Sequence, residues 1–158
     1  MKGQLSLAKF LFIISGEDNP KLTTHDVADY FKHVLERVDW TRDLHFHTRT
    51  TIDTLDYSGT DLNSGSKVVI AAAGNKIREL GTSLSELNLP DDFSNPKVVM
   101  PGIVAIQGNN YLDAISTEKQ IQQLNELQTG NNKLQTSFPL LIICDDSDFV
   151  SKSLSNFL

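Results

Sequence analysis

The part of this sequence that most constrains the fold is a run of seven uncharged residues, 138–144, followed by three acids in the next four positions. The acids are Asp145, Asp146 and Asp148. A short uncharged run that ends in residues able to cap a helix is typical of a buried strand leading into a helix. This strand-to-helix unit is the building block of α/β sheets, and it predicts that fold class here.

Apolar residues then continue at helical spacing to the last position of the chain, at Val150, Leu154, Phe157 and Leu158. Natural chains seldom end on a new apolar stripe, so we expect this chain to be a piece of a longer protein. In a piece of a longer protein, Leu154, Phe157 and Leu158 should be exposed or lie against another copy. In a complete protein they should close its own core.

The composition indicates one ordinary α/β domain over residues 1–158, with 39% hydrophobic and 22% charged residues. The net charge of −6 comes without a cluster of Lys and Arg, which argues against nucleic-acid binding. The single cysteine, Cys144, cannot form an internal disulfide, so we expect a cytoplasmic protein. No stretch approaches the roughly 18 apolar residues of a membrane span, and Lys9 interrupts the amino-terminal apolar run, which favours a strand over a secretory signal.

Periodicity predicts the order strand, helix, strand, strand, strand, helix, strand, helix, which favours a layered α/β domain with a mixed sheet. The predicted strands are 10–14, 44–50, 67–73, 98–106 and 138–144. The predicted helices are 27–38 after a capping box of Thr23 and Asp26, 117–129 before Gly130, and the residues after Asp148, with short helical or turn segments at 76–80 and 83–87. Because Pro101 and Gly102 lie inside the fourth strand, we expect a bulge or a sheet edge there.

The segments 13–18 and 142–147 resemble each other, since each leads from an apolar strand through acids towards a helix. An internal repeat is one interpretation. The other is favoured, because any two strand-to-helix units share these features.

Several residues are candidates for chemistry. His45, His47 and Arg49 lie on one face of a predicted strand, but a third metal ligand at suitable spacing is missing, so a solvated or interface face is favoured. Arg49 is the better candidate, because a guanidinium can bind a carboxylate through two hydrogen bonds.

Other candidates have structural explanations that we favour. The acids at 145–148 would cap a helix and interact with its dipole, although paired acid catalysis or cation binding stays open. Cys144 lacks an activating neighbour, which favours an inert buried thiol. Residues 71–76 resemble a strand end that approaches a nucleotide, but they lack both phosphate-binding glycine motifs.

Several stretches resemble the UbiD-type decarboxylases, which use prenylated flavin. Residues 9–18 are similar to the family's K-F-V-I-V-C-D-D-D strand end, although Ser15-Gly16-Glu17 departs from Cys-Asp-Asp. The further similarities are 39–43 to M-D-P-x-R-D, 51–58 to T-P-I-D-Y-L-D-F-A, 65–67 to G-S-K, and 142–148 to the C-D-D motif a second time. The stronger match in order and spacing covers residues 9–77.

The resemblance implies the carboxy-terminal domain of a non-oxidative decarboxylase, folded as a three-layer α/β/α sandwich with a mixed sheet. The substrate would be an aromatic or unsaturated carboxylic acid, and the setting would be ubiquinone or menaquinone biosynthesis. Prenylated FMN, its divalent metal and the catalytic residues would belong to a preceding flavin-binding domain. We therefore expect the isolated chain to bind no cofactor and to be inactive.

The resemblance also implies that this domain supplies homo-oligomer contacts and one wall of the substrate pocket. The candidate pocket-lining residues are Arg49, Thr51, Ile52, Asp53 and Leu55, which we call the wall segment. Two other classes remain open. One is a self-standing α/β binding or assembly module; the other is a small hydrolase using Asp145 and Asp148, for which no nucleophile or oxyanion-binding loop is evident.

Overall fold

The fold was described from a computed structural model, which defines residues 8–52, 61, 64–84, 89–110, 112–128 and 137–157 of the 158-residue chain. The strands are β1 (Phe10–Ile14), β2 (Leu44–Thr50), β3 (Gly65–Ala72), β4 (Phe93–Met100), β5 (Ile103–Gly108) and β6 (Leu140–Cys144). The helices are α1 (Val27–Leu35), α2 (Ala114–Gln128), α3 (Ser147–Ser151) and α4 (Leu154–Phe157). Among these residues, no helix combines the length and apolar character needed to cross a bilayer.

The strands form two mixed sheets of three strands each in the described part of the chain. The first sheet has the order β1-β3-β2, with β1 parallel and β2 antiparallel to the central β3. The second has the order β4-β5-β6, with β4 antiparallel and β6 parallel to the central β5. The α/β class and the mixed strand pairing are therefore confirmed.

One hydrophobic core joins the two sheets. Helix α1 supplies Val34 and Leu35, and the turn after it supplies Val38. These residues pack with Ile70 of β3 and Ile103 of β5. These residues recur at helical spacing along α1 and the turn after it, so the amphipathic pattern of this segment decides which side faces both sheets. The shared core means that neither sheet buries its apolar residues alone.

The second core cluster covers the other face of the second sheet. Val104 and Ile106 of β5 pack there with Phe93 of β4 and Leu124 of α2. Ile103 faces the shared core while Val104 faces this second cluster, so β5 is buried on both faces. Burial on both faces explains why its sequence is an uninterrupted apolar run rather than an alternating one.

The last described helix also packs into the shared core. The rings of Phe157 and Phe31 meet edge to face at 5.6 Å, and Phe31 in turn contacts Phe12 of β1 at 5.1 Å. Trp40 adds a polar link, because its indole Nε1 donates a hydrogen bond of 2.9 Å to the carbonyl of Pro139 beside β6. These contacts join the amino-terminal and carboxy-terminal parts of the described chain.

The predicted single strand over 98–106 is wrong, because the chain reverses at Pro101 and Gly102. Met100 pairs with Ile103 across this turn, so the segment forms the end of β4 and the start of β5. Gly102 has a φ of 83°, and proline followed by a glycine with positive φ is the signature of a type II turn. The turn signal outweighed the continuous apolar pattern.

Two helix predictions need correction. Asp26 rather than Thr23 caps α1, since its side chain accepts a hydrogen bond from the backbone N–H of Asp29 at 3.2 Å. Residues 76–80 are not helical, because they lie along α1 in an irregular conformation. Their interactions include a hydrogen bond from the Ile77 N–H to the carbonyl of Glu36. The remaining short segment, 83–87, lies mostly outside the described residues.

Two isoleucine truncations test the shared core. Ile103 is fully buried whereas Ile77 is 55% exposed. We expect Ile103→Ala to lower the free energy of unfolding by about 2–5 kcal/mol, because it removes buried methyl groups and leaves a cavity. Ile77→Ala should change it by less than about 0.5 kcal/mol. Equal losses in urea denaturation of the two variants would contradict the placement of Ile103.

Candidate functional site

A polar cleft lies beside α1 at the carboxyl ends of the parallel strands β1 and β3. Ligands of α/β proteins commonly bind at this edge of the sheet, because the loops that leave parallel strands gather there. The cleft has a volume of about 260 Å³. We call it the strand-end cleft; its lining residues are Asp18, Asn19, Leu22, Asp29, Lys32, His33, Glu36 and Arg37.

Gly74, just beyond β3, is held from two sides by residues that line this cleft. Its N–H donates to Oδ2 of Asp18 at 2.7 Å, and its carbonyl accepts from Nε of Arg37 at 3.0 Å. Asp18 comes from the loop after β1, and Arg37 follows α1. Three separate segments of the chain therefore meet at this residue.

Glu36 forms ion pairs with two cationic side chains at the cleft. Its carboxylate pairs with Nη1 of Arg37 at 3.2 Å and with Nζ of Lys76 at 3.1 Å. Nζ of Lys76 also lies 2.9 Å from the carboxylate of Glu79. Glu79 and Glu36 together raise the pKa of Lys76. Because the Glu36 side chain is 12% exposed, its negative charge is balanced by two cations rather than by water.

His33 is the buried titratable group at this cleft. It is 5% exposed, and its Nε2 atom has no hydrogen-bond partner among the described residues. Burial lowers the pKa of His33, and the nearby charge of Arg37 lowers it further, while Asp18 and Glu36 act in the opposite direction. We expect a neutral imidazole at neutral pH.

Sequence reasoning missed this site. Asp29, Lys32, His33, Glu36 and Arg37 recur three and four residues apart, so they form the polar stripe opposite the core-facing stripe of the same segment. That spacing is visible in the sequence, but an exposed polar face has the same pattern. The loop residues Asp18 and Gly74, 56 positions apart, give no such signal.

The strand-end cleft does not fit a flavin or its metal ion. The described residues include no group of three or more His, Cys, Asp and Glu side chains close enough to bind a metal ion. The strand-end cleft carries three carboxylates beside two cations, which is unfavourable for a flavin phosphate. We therefore assign no cofactor step to this part of the chain.

The described residues of the wall segment, Arg49, Thr51 and Ile52, lie towards the opposite end of the first sheet. Thr50 pairs with Gly65, the first residue of β3, whereas the strand-end cleft begins after Ala72, its last residue. Eight residues of strand separate these ends by about 23 Å. Thr51 is exposed and Ile52 is buried, while Asp53 and Leu55 lie outside the described residues.

Arg49 has an unusual backbone conformation at the end of β2. Its φ is 55°, in the left-handed region, and the register of β2 against β3 shifts between His47 and Thr50. A bulge of this kind redirects a side chain and often lies beside a functional site. The Arg49 side chain is exposed, as are His45 and His47.

The acids after β6 have structural partners. The side chain of Asp146 caps α3 by accepting from the N–H of Phe149 at 2.8 Å, so the capping interpretation is confirmed for this residue. Asp148 pairs with Lys97 at 2.9 Å and accepts from Nδ2 of Asn95 at 2.6 Å, which lowers its pKa. These contacts favour a structural role over acid catalysis.

Cys144 was predicted to be a buried, inert thiol, and the structure shows it partly buried. Its Sγ lies 3.5 Å from the carbonyl of Ile106 on the neighbouring β5. Burial raises the pKa of this thiol. A raised pKa keeps the thiol protonated at neutral pH and therefore weakly nucleophilic.

The segment that resembles M-D-P-x-R-D forms the turn between α1 and β2. The buried carboxylate of Asp43 accepts a hydrogen bond from the N–H of Asp39 at 2.9 Å. It also accepts from Nε and Nη2 of Arg42 at 2.6 and 3.0 Å. The backbone carbonyl of Asp43 accepts from the N–H of Ala71 at 3.0 Å, so the motif fixes the turn to the sheet.

The described residues form an α/β domain in which this turn joins α1 to β2. The model of the 3-octaprenyl-4-hydroxybenzoate carboxy-lyase C-terminal domain matches residues 1–72. The resemblance seen in the sequence is therefore confirmed over this range of the chain. The match ends at Ala72, the last residue of β3.

Relatives from Chlamydia extend the similarity over the chain. A 4-hydroxybenzoate decarboxylase component from Chlamydia pneumoniae is 39% identical over 79 residues, 50% of this chain and 13% of its own length. Uncharacterized proteins of Chlamydia trachomatis and Chlamydia caviae are 31% and 30% identical over 157 and 161 residues. Those alignments cover 99% of this chain but 24% of either relative, so the chain spans about a quarter of their length.

The Asp43 turn gives a pH-dependent prediction. Hydrogen bonds from Arg42 hold the pKa of Asp43 below its usual value. Because the folded pKa lies below that of an unfolded aspartate, about 3.9, the stabilisation is present above that value and is lost as pH falls through the lowered pKa. We expect Asp43→Asn to cost about 1–3 kcal/mol at pH 7 and progressively less below about pH 4.

Urea denaturation at several pH values measures this difference. Asp91→Asn is the matched control, since Asp91 is exposed and lies in the turn before β4. It should change the free energy of unfolding by less than about 0.5 kcal/mol at pH 7. A loss for Asp43→Asn that stays constant down to pH 2 would contradict a role for the ionised carboxylate.

Proposed function

We propose that this chain is the carboxy-terminal domain of a UbiD-like non-oxidative decarboxylase that acts on an aromatic or unsaturated carboxylic acid. The observation that supports this is the extent of the family match. Residues 1–72 include β1, α1, β2 and β3, the complete described first sheet and the helix that packs on it. The match therefore covers a sheet together with its helix rather than a short motif.

Within that enzyme, the domain supplies one wall of the substrate pocket and contacts between copies of a homo-oligomer. The wall consists of Arg49, Thr51, Ile52, Asp53 and Leu55. The bulge at Arg49 supports this assignment, because it places an exposed guanidinium at the start of the segment. The three-layer α/β/α arrangement, the cytoplasmic location and a role in quinone biosynthesis are parts of the same proposal.

The cofactor chemistry belongs to the preceding domain in this proposal. Prenylated FMN with its divalent metal supplies the covalent chemistry of decarboxylation when bound there. The residues of this chain orient the substrate and exclude water from it. Arg49 pairs with the substrate carboxylate through its guanidinium, and Ile52 supports the segment from within the core.

The isolated chain provides a direct test. We expect the purified 158-residue chain to fold but to retain no flavin on gel filtration and to release no carbon dioxide from 4-hydroxybenzoate. The physical reason is that the described residues offer no suitable set of metal ligands, and that the carboxylates of the strand-end cleft are unfavourable for a phosphate. Flavin retention at a one-to-one ratio would refute this division of labour.

Kinetics of the longer protein test the wall. We expect Arg49→Ala in a protein containing this domain to raise KM for the acid at least tenfold, because a charge-assisted pair to the carboxylate is worth about 1.5–3 kcal/mol. His47→Ala is the matched control, since His47 is exposed on the same strand before the bulge. Equal effects of the two substitutions would argue against a wall role for Arg49.

A second candidate is a self-standing α/β binding or assembly module without catalysis. The packing of Phe157 on Phe31 favours it, because a residue of the last described helix lies against the core of the chain itself. The two candidates differ in one measurement. A module would bind its partner at full affinity as the isolated chain, whereas a decarboxylase domain requires the flavin-binding part for its activity.

A further inference from the structure

We propose that His33 is an acid-sensitive latch on the strand-end cleft, whose protonation releases the Gly74 peptide from Asp18 and opens the cleft. This inference does not depend on the decarboxylase assignment. It rests on a buried imidazole in a cleft that is also lined by Asp18 and Arg37, the two charged side chains that hold Gly74.

The loop at Gly74 depends on polar contacts. Gly74 has a φ of 94°, and no described atom lies within 4 Å of the position that a Cβ would occupy. Its N–H bonds to Asp18 and its carbonyl bonds to Arg37. Loss of either contact therefore frees this side of the loop without breaking apolar packing there.

Protonation makes the site around His33 unfavourable. An imidazolium has two N–H donors, and Nε2 has no acceptor among the described residues. The Arg37 guanidinium is already adjacent, because its Nη1 donates to the backbone carbonyl of His33 at 3.1 Å. A second positive charge beside it, in a buried place, requires a new anionic partner.

The charged groups around His33 leave one partner available. From α1 and the turn after it come Asp29, Lys32, Glu36 and Arg37, and the loop after β1 contributes Asp18. Glu36 already pairs with Arg37 and Lys76, and Asp29 is exposed to solvent. Among the described residues, the Asp18 carboxylate accepts a hydrogen bond from the N–H of Gly74, and it is not engaged with a cation there.

Asp18 therefore has two alternative partners. With neutral His33 it accepts from the Gly74 N–H; with the imidazolium it turns towards His33 and leaves Gly74 to water. Because the pKa of His33 is lowered from its ordinary value near 6.5, the change is expected at mildly acidic pH, below about 6.5. The closed form is the one present at neutral pH.

Nuclear magnetic resonance of the isotope-labelled 158-residue chain tests the latch. We expect the amide shift of Gly74 and the ring shifts of His33 to titrate with one common midpoint below about pH 6.5. Solvent exchange of the Gly74 amide, corrected for the intrinsic effect of pH, should rise on the order of tenfold across it. Midpoints that differ by more than about half a pH unit would overturn the proposal, as would a Gly74 midpoint near the ordinary aspartate value of about 4.

Two histidine variants complete the test. His33→Gln keeps a neutral polar side chain, so the Gly74 shift should lose its transition. His25→Gln is the control, because His25 is exposed in the turn before α1, and it should leave the transition unchanged. Persistence of the transition in His33→Gln would overturn the proposal. If that variant does not fold, the comparison of midpoints in the unmodified chain still decides.

Discussion

The burial of β5 on both faces is the constraint on which the rest of the structure depends. Ile103 on one face joins the core that α1 shares with the first sheet, and Val104 on the other face packs under α2. Strand β5 therefore connects two apolar clusters that would otherwise be separate. Through the shared core, the second sheet holds α1 in the position from which its polar side forms a cleft.

The segment from α1 to Val38 has two roles that follow from one periodicity. Val34, Leu35 and Val38 face the shared core, while His33 and Glu36 lie on the side that lines the strand-end cleft. Because adjacent positions on a helix point in different directions, neighbouring residues of this one segment supply both the core packing and the lining of the cleft. A substitution that moves this segment will therefore affect both the stability of the fold and the cleft.

The first sheet has two ends with different characters. The family match covers this sheet, and the proposed substrate wall begins at the bulge of Arg49, beside the amino end of β3. The strand-end cleft lies at the carboxyl end, where Asp18 and Arg37 hold Gly74. The sheet thus separates a proposed catalytic role at one end from the proposed pH response at the other.

The sequence by itself determined the α/β class, the amphipathic α1, the strands at 10–14 and 44–50, and the acidic capping that Asp146 provides. These depend on side-chain spacing and on residues a few positions apart, which a sequence displays directly. The motif residues also indicated the resemblance that the family model confirms over residues 1–72. The hairpin turn at Pro101 and Gly102 had its local signal too, but the continuous apolar pattern concealed it.

Only the tertiary structure decided which strands pair, that they form two sheets around one core, and that His33 is buried without a partner for Nε2 among the described residues. These properties depend on residues far apart in the chain, such as Asp18 and Gly74, or Trp40 and Pro139. A histidine on a polar stripe has the same local pattern whether a loop covers it or water does. Its burial, and with it the pKa, depends on where a distant loop closes.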